Sequence, residues 1–245
     1  MRLTLRVAGL VAGLIFCVPL HYLWKLLGLG SIWPQLFLAW AGRCAGLDVR
    51  IEGVPLRGRV LFAANHLSWL DIVALGSAVP ASFVAKDEVE GWPVIGWLAG
   101  LNQTIHVARE ARRAARGQAD QLRAALTRGR AVALFPEGTT DGGTGILPFR
   151  ASLFASLYPP IEGVRVQPVA IDYGPLADEI AWIGEESTGE NAKRIFSRKG
   201  RIPVTLHFLA PVDPAAAADR KALAARAEAG VVEALGASAR AVRPV

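Results

Sequence analysis

The sequence has little cysteine, few histidines and no uninterrupted apolar run of the roughly 20 residues that a membrane-spanning helix needs. Its two cysteines, Cys17 and Cys44, lie in or beside the apolar N-terminus, which excludes a disulfide framework and a cysteine metal site. Neither zinc-ligand spacing nor an aromatic-plus-basic RNA signature is present, so no nucleic-acid partner is expected. The scarcity of cysteine favours the reducing, cytosolic side of a cell.

Apolar residues and positive charge are what the sequence has in excess. Of its 245 residues, 52% are hydrophobic, and the formal net charge is +6. The mean hydropathy of +0.33 is high for a soluble protein, and much of the apolar excess lies in the first 42 residues. A basic, apolar protein suits an anionic membrane surface or a phosphorylated substrate.

Two apolar runs make up the N-terminus. Val7 to Leu20 carries no polar side chain, and the run continues past His21 until Lys25 ends it. Ile32 to Ala41 is the second run. The first run is borderline in length for a spanning helix, and the second is too short. Basic residues precede and follow the pair, which places both of its ends on the cytoplasmic side: Arg2, Arg6, Arg43 and Arg50.

We therefore expect residues 1–42 to form a helical hairpin that lies in one leaflet of the cytoplasmic membrane. Residues 43–245 would form one α/β domain on the cytoplasmic side, because a chain of this length suffices for one such domain with its own core. A single span, a signal peptide cleaved after Ala39-Trp40-Ala41 and an ordinary buried helix pair are the alternatives.

Strand-type and helical segments alternate beyond the apolar N-terminus. The expected strands are 48–52, 59–64, 82–85, 104–107, 131–135, 166–171 and 204–209. The expected helices are 72–79, one that starts near 91, 110–128, and a last helix from a cap at Asp213 to Leu235. This alternation predicts an α/β fold with a mostly parallel sheet flanked by helices. Residues 174–200 read as an irregular, polar surface insertion without an assigned role.

His66 and Asp71 lie five positions apart, where a predicted strand ends and a predicted helix starts. A carboxylate in that position can hold one imidazole nitrogen while the other nitrogen takes a proton from a substrate. The plainer alternative is that His66 ends a strand and Asp71 caps a helix. Because a histidine and an aspartate at this spacing also occur by chance, the pair alone does not decide between the two.

A glycine-containing loop follows another buried strand, which ends at Phe135. Glu137, Gly138 and Thr139 come directly after it. Since active sites of parallel sheets lie beyond the carboxyl ends of the strands, we expect His66 and Glu137 to face one crevice. The alternative is a solvated turn that happens to contain a glutamate.

Together these residues resemble the glycerolipid and lysophospholipid acyltransferases. Residues 65–71, Asn-His-Leu-Ser-Trp-Leu-Asp, and 135–139, Phe-Pro-Glu-Gly-Thr, look like the first and third sequence blocks of that family. Residues 104–109, which end in Arg109, are similar to the second block, and 166–171 to the fourth. The resemblance covers about residues 45 to 175, with the four blocks in order.

The resemblance implies an O-acyltransferase that moves a fatty acyl group from acyl-CoA or acyl carrier protein to the free hydroxyl of a lysophospholipid. His66 would be the general base and Asp71 its partner, with no metal and no cofactor. The expected acceptor is 1-acyl-sn-glycerol 3-phosphate, which would give phosphatidic acid. The residues expected to bind substrate are Arg109, Glu137, Gly138, Thr139 and Arg150.

Two positions depart from the family pattern. Thr140 stands where the family commonly has arginine, and Arg150 keeps the cation of a Phe-Lys-x-Gly segment whose glycine is replaced by Ser152. One usual phosphate partner is therefore missing. Enzymes acting on lyso-ornithine lipid resemble this variant, which makes that lipid the alternative acceptor. A non-catalytic membrane lipid-binding protein and a metal-dependent hydrolase are the alternatives from other classes, although the second lacks clustered histidines.

Overall fold

A seven-stranded sheet forms the centre of the computed structural model, which describes residues 1–86, 91, 93–107, 112–140, 145–184 and 186–242. The strands are β1 (Leu47–Gly53), β2 (Val60–Ala64), β3 (Ala81–Lys86), β4 (Ile105–Val107), β5 (Ala131–Leu134), β6 (Arg165–Asp172) and β7 (Ile202–Phe208). Their order across the sheet is β1-β7-β6-β2-β5-β3-β4. Each predicted strand is present, with ends that shift by at most two residues.

Five neighbouring strands, from β6 to β4, run parallel, while β1 and β7 are parallel to each other and join the rest through an antiparallel pairing of β7 with β6. The prediction of an α/β fold with a mostly parallel sheet is confirmed. The register aligns Ala63 with Leu134 of β5, and Ala64 with Val169 of β6. The carboxyl ends of β6, β2 and β5 therefore meet at one edge of the sheet.

Helices cover both faces of this sheet. They are α1 (Arg2–Leu26), α2 (Trp33–Ala45), α3 (Leu70–Ala78), α4 (Pro93–Leu101), α5 (Arg112–Thr127), α6 (Ala177–Ile180), α7 (Thr188–Ser197) and α8 (Arg220–Val242). One apolar core joins the sheet to α2, α3 and α7, and a second joins the opposite face to α5, α8 and a 3-10 segment at Ala151–Leu157. A sheet buried on both faces explains why β2 and β5 consist entirely of buried residues.

The predicted N-terminal hairpin is present, with α1 and α2 packed antiparallel. Trp40 of α2 donates its indole N–H to the carbonyl of Gly9 at 2.8 Å, and a Cβ at Gly13 would overlap the Trp40 ring. Near the other end of the pair, His21 Nδ1 lies 2.7 Å from the hydroxyl of Ser31. Gly13 therefore allows the two helices to approach closely beside Trp40.

The opposite side of α2 packs on helix α3. Gln35 donates to the carbonyl of Ser77 at 3.2 Å, and Leu38 and Phe83 fill the space beside Gly76 of α3. Helix α2 continues past residue 42 to Ala45, which is fully buried in the core. The hairpin is thus joined to the α/β body by α2, which lies between α1 and α3.

Arg6 fixes the first turns of α1 to the body. Its guanidinium donates to the carbonyl oxygens of Ala45, Ile195 and Phe196 at 3.2, 3.2 and 3.3 Å. These carbonyls belong to the last turns of α2 and α7, where helices have unsatisfied acceptors and a partial negative charge that a cation complements.

The segment 174–200 is more regular than the sequence predicts. It contains α6 and α7, and α7 begins with a capping box in which Ser187 and Glu190 bond reciprocally through side chain and backbone. The last helix also differs from its prediction. Asp213 caps only a short 3-10 turn, whereas Asp219 accepts from the amides of Lys221 and Ala222 at the start of α8.

Candidate active site

Polar side chains gather where the carboxyl ends of three adjacent strands meet. His66 lies two residues beyond β2, Glu137 three residues beyond β5, and Tyr173 directly after β6. The first two were expected to share a crevice, and the order of the strands brings them together. The third was not expected from the sequence.

His66 and Asp71 form the predicted pair. The Nδ1 atom of His66 lies 2.9 Å from Oδ2 of Asp71, and the two side chains are 18% and 0% exposed. A neutral imidazole in this geometry carries its proton on Nδ1 and donates it to the carboxylate. Within the described part of the chain, Nε2 of His66 has no hydrogen-bond partner, so its lone pair is available to a substrate hydroxyl.

The carboxylate of Asp71 is held by more than the imidazole. The amides of Leu67 and Ser68 donate to Oδ2 at 2.6 and 2.8 Å, because α3 begins immediately after the turn and directs Asp71 back over it. The phenol of Tyr173 donates to Oδ1 at 2.8 Å. Burial, and then the negative charge of Asp71 together with this hydrogen bond, raise the pKa of Tyr173 well above its ordinary value, so that the phenol stays protonated.

The imidazole of His66 also lies on an aromatic surface. Its ring is stacked on Phe135, with centroids 4.1 Å apart and an angle of 17° between the planes. Phe135 in turn stacks on Phe83 of β3 at 6.2 Å. The ring of His66 is therefore restrained by a contact across its face as well as by the bond at its edge.

Glu137 connects the turn after β2, residues 65–69, with the loop after β5, residues 135–140. These two segments are called the motif turns below. It is 1% exposed, and its Oε1 accepts the backbone N–H of His66 at 2.7 Å while Oε2 accepts that of Leu147 at 2.9 Å. Both carboxylate oxygens thus contact backbone amides from different parts of the chain. This geometry favours a role in holding the loops around His66.

Gly138 and Arg150 are adjacent, although they are twelve positions apart in the sequence. Gly138 adopts a φ of +73°, and a Cβ built there would lie 3.2 to 3.3 Å from the guanidinium of Arg150. The backbone N–H of Arg150 donates to the carbonyl of Pro136 at 2.9 Å, which holds the main chain of this exposed residue beside the loop. The amide of Gly138 donates to Phe135 at 3.1 Å, so it serves the turn, and half-buried Thr139 follows it.

Arg109, the remaining residue expected to bind substrate, lies outside the described residues. Ser68 is fully buried, and its hydroxyl accepts from the amide of Leu70 at 3.4 Å. That contact is typical of a turn residue and leaves Ser68 without the exposure of a nucleophile.

Asn65 also belongs to this region, although the sequence did not predict a role for it. Asn65 exchanges two hydrogen bonds with the backbone of Ile171, at 3.1 and 2.7 Å, and so ties the end of β2 to β6. It lies inside the first sequence block, but the sequence does not reveal that β6 is its neighbour.

The segment 174–200 contacts both motif turns. The amide of Trp182 donates to Leu67 at 3.1 Å, and the hydroxyl of Thr140 donates to the carbonyl of Trp182 at 3.3 Å. Trp69 donates its indole N–H to buried Asn191 of α7 at 2.8 Å. The Ser187-x-x-Glu190 pattern could have identified α7 from the sequence, but not its position over the site.

Comparison with known proteins gives a consistent result. Residues 47–172 match the family model described as Acyltransferase. A lyso-ornithine lipid O-acyltransferase of Brucella abortus is 36% identical over 91% of this chain and 90% of its own length. A 1-acyl-sn-glycerol-3-phosphate acyltransferase of Neisseria gonorrhoeae is 40% identical over 54% of this chain and 52% of its own. The crystal structure of the 1-acyl-sn-glycerophosphate acyltransferase PlsC from Thermotoga maritima superposes with a TM-score of 0.61 and 25% identity, covering 86% of this chain and 80% of that one.

Proposed function

The chain belongs to the acyltransferase family, and from that premise we propose that it transfers a fatty acyl group from an acyl thioester to the free hydroxyl of a lysolipid, with His66 as general base. The observation that carries the proposal is the contact of 2.9 Å between His66 Nδ1 and buried Asp71, which leaves Nε2 open. Acyl-CoA or acyl carrier protein is the donor, as a co-substrate.

The reaction needs no covalent enzyme intermediate. The acceptor oxygen attacks the thioester carbonyl carbon while its proton passes to Nε2 of His66, and a C–O bond forms. The tetrahedral oxyanion then collapses, the C–S bond breaks, and the imidazolium returns the proton to the leaving thiolate. Asp71 stabilises the imidazolium between these steps, and a general base of this kind contributes about 10²- to 10⁴-fold.

Lyso-ornithine lipid is the acceptor that we propose. The relative of that name matches this chain along nine-tenths of its length, including residues beyond the family model. Thr140 supports the same choice, because it supplies no cation for a phosphate, and its hydroxyl donates instead to the carbonyl of Trp182. Ornithine carries an ammonium as well as a carboxylate, so its head group needs fewer cations than a phosphate does.

A second acceptor, 1-acyl-sn-glycerol 3-phosphate, is supported by different observations. The Neisseria gonorrhoeae relative, which is named for this substrate, has the higher identity, though over about half of the chain. Arg150 lies beside Gly138 in the third motif loop and offers a guanidinium to an anionic head group.

The experiment that separates these acceptors uses the purified full-length protein in detergent. It is offered lyso-ornithine lipid or 1-acyl-sn-glycerol 3-phosphate with labelled acyl-CoA or acyl carrier protein. We expect kcat/KM to be higher for lyso-ornithine lipid. A higher value for the phosphate acceptor reverses the choice, and lysolipid binding without transfer from either donor favours the non-catalytic alternative.

We further propose that α1 lies in the plane of a membrane interface. By length and composition α1 could cross a membrane, since its mean hydropathy reaches 2.1 and only 11% of that window is buried. However, α1 packs along α2, and α2 packs on α3 inside the α/β body. A spanning α1 would carry α2 and part of the body into the hydrocarbon, whereas an in-plane α1 buries only its outer face.

A further inference from the structure

Tyr173 is a buried ionisable group that the reaction above does not use. It is 2% exposed, comes directly after β6, and directs its phenol at the catalytic carboxylate. A buried tyrosine hydroxyl needs a hydrogen-bond partner, and among the described residues Asp71 is the partner that it has. That partner is the same carboxylate that holds His66.

The two oxygens of Asp71 are used unequally. Oδ2 receives His66 Nδ1 and the amides of Leu67 and Ser68, at 2.9, 2.6 and 2.8 Å. Oδ1 receives the hydroxyl of Tyr173 at 2.8 Å. Asp71 is fully buried, so an Oδ1 without a donor would remain a desolvated, partly charged acceptor.

The torsion that orients a carboxylate is soft. Rotation about the last bond of an aspartate has broad, roughly two-fold preferences, so the side chain itself does not select one angle. A donor on each oxygen does select an angle, because the amides of the turn lie on one side and Tyr173 on the other. Tyr173 directly follows β6, whose register with β2 is set by their pairing, and this places its phenol.

We propose that Tyr173 is a positioning residue for acyl transfer: its hydroxyl fixes the rotation of Asp71 so that Oδ2 keeps the His66 proton on Nδ1 and Nε2 faces the acceptor hydroxyl. The inference rests on the proposed function of His66 as general base. A tyrosine that only fills space in the core would affect stability and leave the tautomer of His66 unchanged.

Tyr173→Phe removes the hydroxyl and keeps the ring. We expect kcat to fall about tenfold, with KM for lysolipid and thioester unchanged, because the lost bond acts on the base and on neither substrate. In protein labelled with ¹⁵N-histidine, the His66 signals should change from the Nδ1–H tautomer to a mixture of both tautomers, with assignment from His66→Ala.

Tyr158→Phe is the matched control, since Tyr158 donates its hydroxyl to the carbonyl of Pro214 at 3.2 Å on the other face of the sheet. It should change neither kcat nor the His66 signals. Wild-type kcat together with an unchanged His66 tautomer in Tyr173→Phe overturns the proposal.

A second measurement applies if Tyr173→Phe does not fold. In wild-type protein labelled with ¹³Cζ-tyrosine, the Tyr173 signal should shift when His66 is protonated, and that shift should be absent from His66→Ala. A Tyr173 signal that does not respond to His66 contradicts the proposal. Suppose that wild-type protein acylates no lysolipid, but that Tyr173→Phe changes the His66 tautomer and the Tyr173 signal responds to protonation of His66. The proposed function then fails, and the positioning of His66 by Tyr173 stands.

Discussion

At the scale of single residues, His66 is the side chain whose loss should separate catalysis from folding. His66→Ala removes the base and its stacking contact with Phe135, and it leaves the remaining core side chains in place. We expect kcat to fall by about 10²-fold or more with little change in KM, because the base acts in the transition state. Steady-state kinetics measure the loss of catalysis, and the thermal unfolding midpoint shows whether the variant still folds.

His207→Ala is a suitable control for this prediction. His207 also pairs with a carboxylate, since its Nδ1 lies 3.0 Å from Glu52, but the pair joins β7 to β1 instead of facing the motif turns. This variant should keep kcat. A His66→Ala enzyme that retains more than about a tenth of wild-type kcat is incompatible with a general base at this position.

Thr140 is the residue at which recognition of the acceptor head group can be tested. Thr140→Arg adds the cation that the family commonly has there and removes the bond to Trp182. We expect the ratio of kcat/KM values to shift about tenfold towards 1-acyl-sn-glycerol 3-phosphate, which corresponds to about 1.4 kcal/mol of binding. The measurement is competition between the two acceptors for one labelled donor.

Thr127→Arg is the matched control for added charge, because Thr127 is an exposed residue at the end of α5 whose hydroxyl bonds to Arg123. It should leave the ratio unchanged. An equal shift in both variants would mean that net charge, and not the position of Thr140, determines the preference.

The part of the site that could be predicted consists of contacts between residues close together in the sequence. The contact between His66 and Asp71 needs only one turn, and the Phe135–Thr139 loop follows a strand that the sequence makes evident. Tyr173 could not be assigned, because its role depends on β6 pairing with β2 more than 100 residues away. Long-range pairing is what local patterns do not contain.

At the scale of elements, the outer face of α1 is the feature that should hold the protein on a membrane. Ile15 and Leu26 are 70% and 84% exposed on that face. Helix α4 extends it, because Trp97 lines an apolar groove together with Leu14 and Val18 of α1. Burial of such a surface in the interface, aided by anionic lipid, gives the binding free energy.

The prediction concerns a double substitution, Ile15→Asp with Leu26→Asp. Each change removes a side chain whose burial stabilises binding by about 1.5 to 3 kcal/mol. We expect co-sedimentation with anionic vesicles to fall at least tenfold, while acyl transfer in detergent micelles persists. The matched control is Ile183→Asp with Val232→Asp, at positions 52% and 49% exposed outside the hairpin. Equal losses in both double variants would place the membrane contact elsewhere.

Removing residues 1–42 is a less specific test than the sequence suggests. The cut would fall inside α2, whose Gln35 and Leu38 contact α3, and would uncover apolar core beside Gly76. We expect the truncated protein to be less stable than the full chain, in addition to losing membrane binding. Surface substitutions on α1 avoid this complication.

At the scale of the whole molecule, composition and the alternation of strands and helices were enough to predict the fold class. They were not enough to predict the order and direction of the strands in the sheet. The alternation predicts a mostly parallel sheet, whereas the reversed direction of β7 and β1 has no local sequence mark. The order of strands also decides that Asn65 meets Ile171 and that 174–200 covers the motif turns. These features depend on which apolar faces pack together, so they appear only in the folded chain.

The net charge of the whole chain should also contribute to membrane binding. A formal charge of +6 attracts the protein to anionic lipid, and salt weakens this attraction because the Debye length falls from about 10 Å at 0.1 M to about 3 Å at 1 M. The apolar face of α1 contributes a binding free energy that salt does not screen.

Binding to vesicles with phosphatidylglycerol should therefore fall as salt rises and level off at the value measured for phosphatidylcholine vesicles. The Ile15→Asp, Leu26→Asp variant should lose that residual binding and keep the salt-sensitive part. Complete release of the wild-type protein at high salt would contradict burial of α1, and binding that ignores salt would show that charge makes no contribution.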